Sequence, residues 1–93
     1  MSVRTRIETT LRDNLAPERL DVINESHQHA GHQPGMDGDG ETHMRVRIGS
    51  PAFAGKSRLD RHRAVNALLK PELDAGLHAL AVEAAAPGEA TRW

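Results

Sequence analysis

The chain has 93 residues, enough for one small domain with a modest core, since a chain of this size buries only somewhat more than about 60% of its unfolded surface. It has no Cys, which excludes disulfides, a thiolate nucleophile and Cys-ligated metal, and Phe53 and Trp93 are its only large aromatics, so the core must be aliphatic. Twelve Lys and Arg against thirteen Asp and Glu give a net charge of −1, which argues against blanket binding to nucleic acid or membrane.

Val3, Ile7, Leu11 and Leu15 recur every fourth residue and predict a helix with one apolar stripe. Ser2 is placed to cap its start, and Pro17 stops it by pushing the preceding residue out of helical geometry. Residues 19–26 alternate loosely, with Leu20 and Val22 on one face, as a half-buried strand does. Residues 27–42 carry Gly31, Pro34, Gly35, Gly38 and Gly40 among Asp37 and Asp39, which reads as a long loop joining two strands. Met44, Val46 and Ile48 alternate with His43, Arg45 and Arg47, a second strand with one basic face. Pro51 and Gly55 mark the turn out of it. Ser57 is an N-cap with acidic Asp60 in the first turn, and Leu59, Val65, Leu68 and Leu69 predict an amphipathic helix. Pro71 opens a further short turn that Gly76 ends. Leu77 to Glu83 is a third strand, and residues 84–93 are a small, polar tail that frays unless Trp93 docks on the core. There is no internal repeat. This order, α-β-β-α-α-β, predicts a single α+β domain over 1–93, with helices on one face of a three-stranded sheet.

Charge is unevenly spread. Between Arg45 and Arg63 stand six cations (Arg45, Arg47, Lys56, Arg58, Arg61, Arg63) against Asp60 alone, whereas Asp21 to Glu41 holds five acids and no Lys or Arg. No apolar run reaches membrane-spanning length, and the start of the chain lacks the apolar stretch of a signal peptide, so a cytoplasmic protein is expected.

Six histidines are many for this length, and four lie between 27 and 43. His27, His29 and His32 form H-x-H-x-x-H, and imidazole is the commonest metal ligand. From the residues alone the segment reads first as a solvated loop that carries histidines, and only second as a metal site. The spacing matches no structural zinc pattern, no Cys completes a tetrahedral set, and the Asp37, Asp39, Glu41 series lacks the flanking pattern of a calcium loop. His78 alternates with Leu80 and Val82, which allows a buried strand residue. His62, three residues from both Leu59 and Val65, reads as a half-buried, hydrogen-bonded side chain. Lys56, Arg58, Arg61 and Arg63 gather at a helix start, where cations and backbone N–H groups suit phosphate. They also suit a solvated basic face or an acidic partner.

The run Phe53-Ala54-Gly55-Lys56-Ser57-Arg58-Leu59-Asp60-Arg61-His62-Arg63-Ala64-Val65-Asn66 resembles the BolA signature F-x-G-K-S-R-x-x-R-H-R-x-V-N. Val22-Ile23-Asn24-Glu25-Ser26 and Gly76-Leu77-His78-Ala79-Leu80 fit the same family in the same order, so the resemblance spans about residues 3 to 83. Met44, where the family often has an aromatic residue, and the loop rich in Gly, Asp and His depart from the pattern.

The resemblance implies a fold like a type II KH domain and a partnership with monothiol glutaredoxins that carry a 2Fe–2S cluster bound by Cys and glutathione. It implies that the BolA partner supplies two ligands. The first maps onto His78, and the second maps best onto His29, with His27 and His32 as alternatives. His43 matches the family's His before the second strand, a structural or supporting group. Imidazole in place of thiolate raises a cluster's reduction potential, as in Rieske centres, and binds only when deprotonated. Two histidines are too few to hold a cluster in the isolated protein. The resemblance also implies a second reading, a DNA-binding transcription regulator using the basic helix 56–63. Against it, the G-x-x-G clamp of KH domains is reduced to Gly55, and no aromatics interleave the cations for base stacking. A weak homodimer is a further expectation. Without a thiol, a Gly-rich phosphate loop or a Ser/His/Asp arrangement, the chain is not expected to be an enzyme.

Overall fold

In the computed structural model, which describes residues 2–25 and 42–93, each element forms where local chemistry directs it. Helix α1 runs Val3–Leu15, and the Ser2 hydroxyl accepts from the Thr5 N–H at 3.1 Å. It ends at Ala16, whose left-handed backbone (φ 43°) turns the chain before Pro17. Strand β1 covers Arg19–Asn24 and β2 His43–Gly49. A short 3-10 turn, Pro51–Phe53, leads to Gly55, whose φ of 76° favours the residue without a Cβ. Helix α2 is Arg58–Leu68, with Ser57 Oγ accepting from the Asp60 N–H at 3.1 Å, and α3 is Lys70–Ala75. Strand β3 is Ala79–Ala85.

The sheet order is β1-β2-β3. β1 pairs antiparallel to β2, and β3 pairs parallel to it after the helical crossover. Its register puts Val22, Val46 and Val82 in one row, flanked by Leu20, Ile48 and Ala84 and by Met44 and Leu80. This face packs against Ile7 and Leu11 of α1 and Val65 and Leu69 of the α2–α3 segment, with Phe53 and Leu77 closing the core. The helices therefore cover one face of the sheet. The other face carries an ion network in which Arg45 donates to Glu25 at 2.8 Å and Arg47 to Glu83 at 2.9 Å, with Arg45 3.4 Å from Glu83. These hydrogen bonds, that from Arg47 foremost, hold the Glu83 carboxyl below the usual range.

Three expectations are corrected. β3 begins at Ala79, not Leu77, because Gly76 and Leu77 end α3. The Leu77 N–H reaches back to the Glu72 carbonyl at 3.0 Å, and its side chain enters the core, as at the residue after a glycine helix cap. Leu59 is not on the buried stripe. It is 57% exposed, because Arg61, Val65 and Leu69 set the inward face and Leu59 lies about 200° around the helix from Arg61. The tail begins after Ala85, not at residue 84, because β3 runs on to Ala85, and it is held down, the outcome expected where Trp93 docks. Ala85 and Ala86 are buried, Glu89 bonds to Arg61, and Trp93 docks under the Arg19 guanidinium at 4.6 Å while its main-chain oxygen accepts from Arg19 at 2.7 Å. Among the described residues no helix is long and apolar enough to cross a membrane.

Candidate functional site

His78 stands at the entry to β3, between the buried Leu77 and the first ladder residue, Ala79. The N–H groups of His78 and Ala79 both donate to the Thr42 carbonyl, at 2.8 and 3.1 Å, which fixes the backbone on both sides of the ring. The residue is exposed, and its ring makes no hydrogen bond among the described residues. The reading of His78 as a buried strand residue is thereby excluded: the strand alternation that suggested it starts only one residue later.

The same end of the sheet carries His43, the first residue of β2. The two rings stack with centroids 6.3 Å apart and planes 27° from parallel. Thr42 Oγ1 is hydrogen-bonded to His43 Nδ1 at 2.9 Å, which orients that ring. The pairing follows from register: in the parallel ladder His43 lies opposite Ala79, the neighbour of His78. Sequence reasoning placed His43 beside the site but missed this contact, because nothing in the sequence told that these two strands are neighbours. The segment expected to hold the second ligand joins the sheet here too. The N–H of Glu25, where it leaves, donates to the His43 carbonyl at 2.8 Å, and Thr42, where it returns, holds His78. His27, His29 and His32 themselves lie outside the described residues. Among the described residues no group of three or more His, Asp or Glu side chains is arranged to hold a metal ion.

The predicted basic cluster divides. Lys56, Arg58 and Arg63 are exposed and without an ion pair among the described residues. Arg61 does not belong with them. It is 9% exposed, its Nε donates to the Lys56 carbonyl at 3.0 Å, and its two terminal nitrogens grip Glu89 at 2.6 and 2.8 Å. A charge placed on the inward stripe needs a partner, and this bidentate grip supplies one. The Arg61 guanidinium and the Ala86 N–H together pull the Glu89 carboxyl down to about 2. An Arg four and eight residues before Val65 and Leu69 was the available signal that Arg61 faces inward. His62 is half-buried as expected, but no hydrogen bond to its ring is found among the described residues. It lines a cleft of about 500 Å³ between α2, β3 and the tail.

The BolA-like protein family model matches residues 11–89. The chain belongs to the BolA-like family. A protein described as "Uncharacterized protein in cobS 5'region" of Sinorhizobium sp is 73% identical over all of both chains. SufE-like protein 1 of Arabidopsis thaliana is 49% identical across 90% of this chain, which spans only 24% of that longer protein, and human BolA-like protein 1 is 45% identical across 94% of this chain and 60% of its own length. The BolA domain of SufE1 from Arabidopsis thaliana superposes with a TM-score of 0.85 at 47% identity, covering 97% of this chain and 98% of that one. The α+β architecture of this BolA-like chain is thus that of its solved relatives.

Proposed function

We propose that this BolA-like protein is a non-enzymatic cytoplasmic adaptor in iron–sulfur trafficking or iron sensing, which pairs with a monothiol glutaredoxin and shares a 2Fe–2S cluster with it. The observation that carries the reading is the exposed His78, rigidly based on Thr42, at the sheet end where the His-bearing 26–41 segment departs and returns.

The donor set suits a shared cluster and not a private one. A 2Fe–2S cluster takes four protein or thiolate ligands, and this chain has no Cys. His78 and one imidazole of the 26–41 segment, His29 first, make half a set, with glutaredoxin Cys and glutathione completing it. When bound, the cluster supplies electron storage at a potential that imidazole ligation raises. The chain's own part is to present an imidazole at a fixed place. His43 stacks beside His78 at the same sheet end, and Lys56, Arg58 and Arg63 steer an acidic partner.

Anaerobic titration of the protein into glutathione- and cluster-loaded monothiol glutaredoxin, followed by visible circular dichroism, tests this. A new spectrum saturating near one to one, altered in both His29→Ala and His78→Ala, is expected. Loss with His78→Ala alone keeps the function and moves the second ligand to His27 or His32. An unchanged spectrum overturns the reading and leaves the DNA-binding one, reduced by Arg61 to Lys56, Arg58 and Arg63. Duplex affinity would then fall steeply with salt.

A further inference from the structure

We propose that the cleft between α2, β3 and the tail is a binding site for a small phosphomonoester, separate from the sheet end that carries His78. Its floor is the strand segment Val82–Ala85 and its far wall the tail Glu89–Trp93, with Arg58, Arg61 and His62 of α2 opposite. The small side chains of Ala84, Ala85 and Ala90 leave the space open, and about 500 Å³ lies within the range of small-molecule pockets.

The argument rests on which charges in the wall are already satisfied. Two side-chain carboxylates belong to the lining, and both are engaged: Glu83 by Arg47 and Arg45, Glu89 by Arg61. Arg61 is engaged as well. It serves as a fixed, internally neutralised wall, held at Nε by the Lys56 carbonyl and at both terminal nitrogens by Glu89. Arg58 from the helix and Arg92 from the tail have no ion pair among the described residues, and the half-buried ring of His62 lies with them in the lining. Two guanidiniums without an ion pair among the described residues thus border one concave, partly apolar space. Such a space focuses their field, and guanidinium binds oxyanions with paired, parallel N–H bonds. Two positive charges match the charge of a phosphomonoester, about −1.5 to −2 at neutral pH, better than they match a single carboxylate.

The test is a titration of the full chain with inorganic phosphate and with AMP, read by amide chemical shifts. Saturable shifts are expected at the Ala84, Ala85 and Thr91 amides. Arg58→Ala and Arg92→Ala should each weaken binding about tenfold, the loss of a charged hydrogen bond, and Arg12→Ala, on α1, should not. Arg58 and Arg92 are exposed, so both variants should keep the wild-type spectrum of a folded domain. Shifts that grow without saturating, or that persist unchanged in both arginine variants, overturn the proposal. Citrate binding as tightly as AMP overturns the phosphate assignment. None of these outcomes depends on glutaredoxin or a cluster.

Discussion

Ser50 is a fully buried polar side chain that no pattern in the sequence singles out. Its hydroxyl donates to the Leu15 carbonyl at the end of α1 at 2.6 Å and accepts from the Ala52 N–H at 3.1 Å, so one side chain serves two helix termini. Ser50→Ala removes both bonds, which are partly shielded from water, and should cost about 1 kcal/mol, read as a lower urea midpoint at unchanged slope. His78 predicts the opposite. Its ring is exposed and unbonded among the described residues, so His78→Ala should change unfolding free energy by no more than about 0.5 kcal/mol while altering the shared-cluster spectrum. A large loss of stability in that variant would show that the ring is structural.

Between elements, the Arg61–Glu89 grip ties the tail to α2, and Arg6 of α1 makes a similar link to Glu72 of α3 at 3.0–3.1 Å. Glu89 has its carboxyl lowered from 4.5 to about 2 in the folded protein. A depressed carboxyl stabilises the fold above its unfolded value, and that contribution disappears as pH falls from about 4.5 through about 2. Glu83, lowered by its bonds to Arg47 and Arg45, acts in the same sense. Wild type should therefore lose thermal stability on acidification in that window more steeply than Glu89→Gln, which has no carboxylate to titrate there. Parallel melting curves from pH 6 to pH 2 would sink the assignment.

For the domain as a unit, twelve buried residues among those described make one continuous core, a modest one for so short a chain. Leu69 joins α2 to α3 and is fully buried. Leu69→Ala should cost about 2–5 kcal/mol, a large part of the roughly 5–15 kcal/mol that holds small domains together, so circular dichroism should show a substantial drop in melting temperature. The exposed Lys56, Arg58 and Arg63 should affect association and not stability. Charge reversal at all three should slow binding to the proposed glutaredoxin partner and invert its dependence on ionic strength, so that the rate rises with salt, measured by stopped-flow kinetics, with little change in melting temperature.

Much of this was legible in the chain before any coordinates, and for a common reason. The strict alternation of β2, the fourth-residue stripe of α1, the serine caps at Ser2 and Ser57 and the glycine stop at Gly76 are local chemistry: each depends on residues within one turn or one pleat. The signature running from Phe53 to Asn66 carried the family in the same way, as a contiguous string. What escaped was long-range. Leu59 and Arg61 exchanged their expected places because Glu89, far along the chain, offers a buried guanidinium its counter-charge. His43 meets His78 because β3 returns parallel to β2, an adjacency that neither strand encodes alone. Periodicity and capping are fixed by neighbours in the chain, but which charges are paired and which imidazoles share a surface is fixed by packing, and only the folded arrangement decides it.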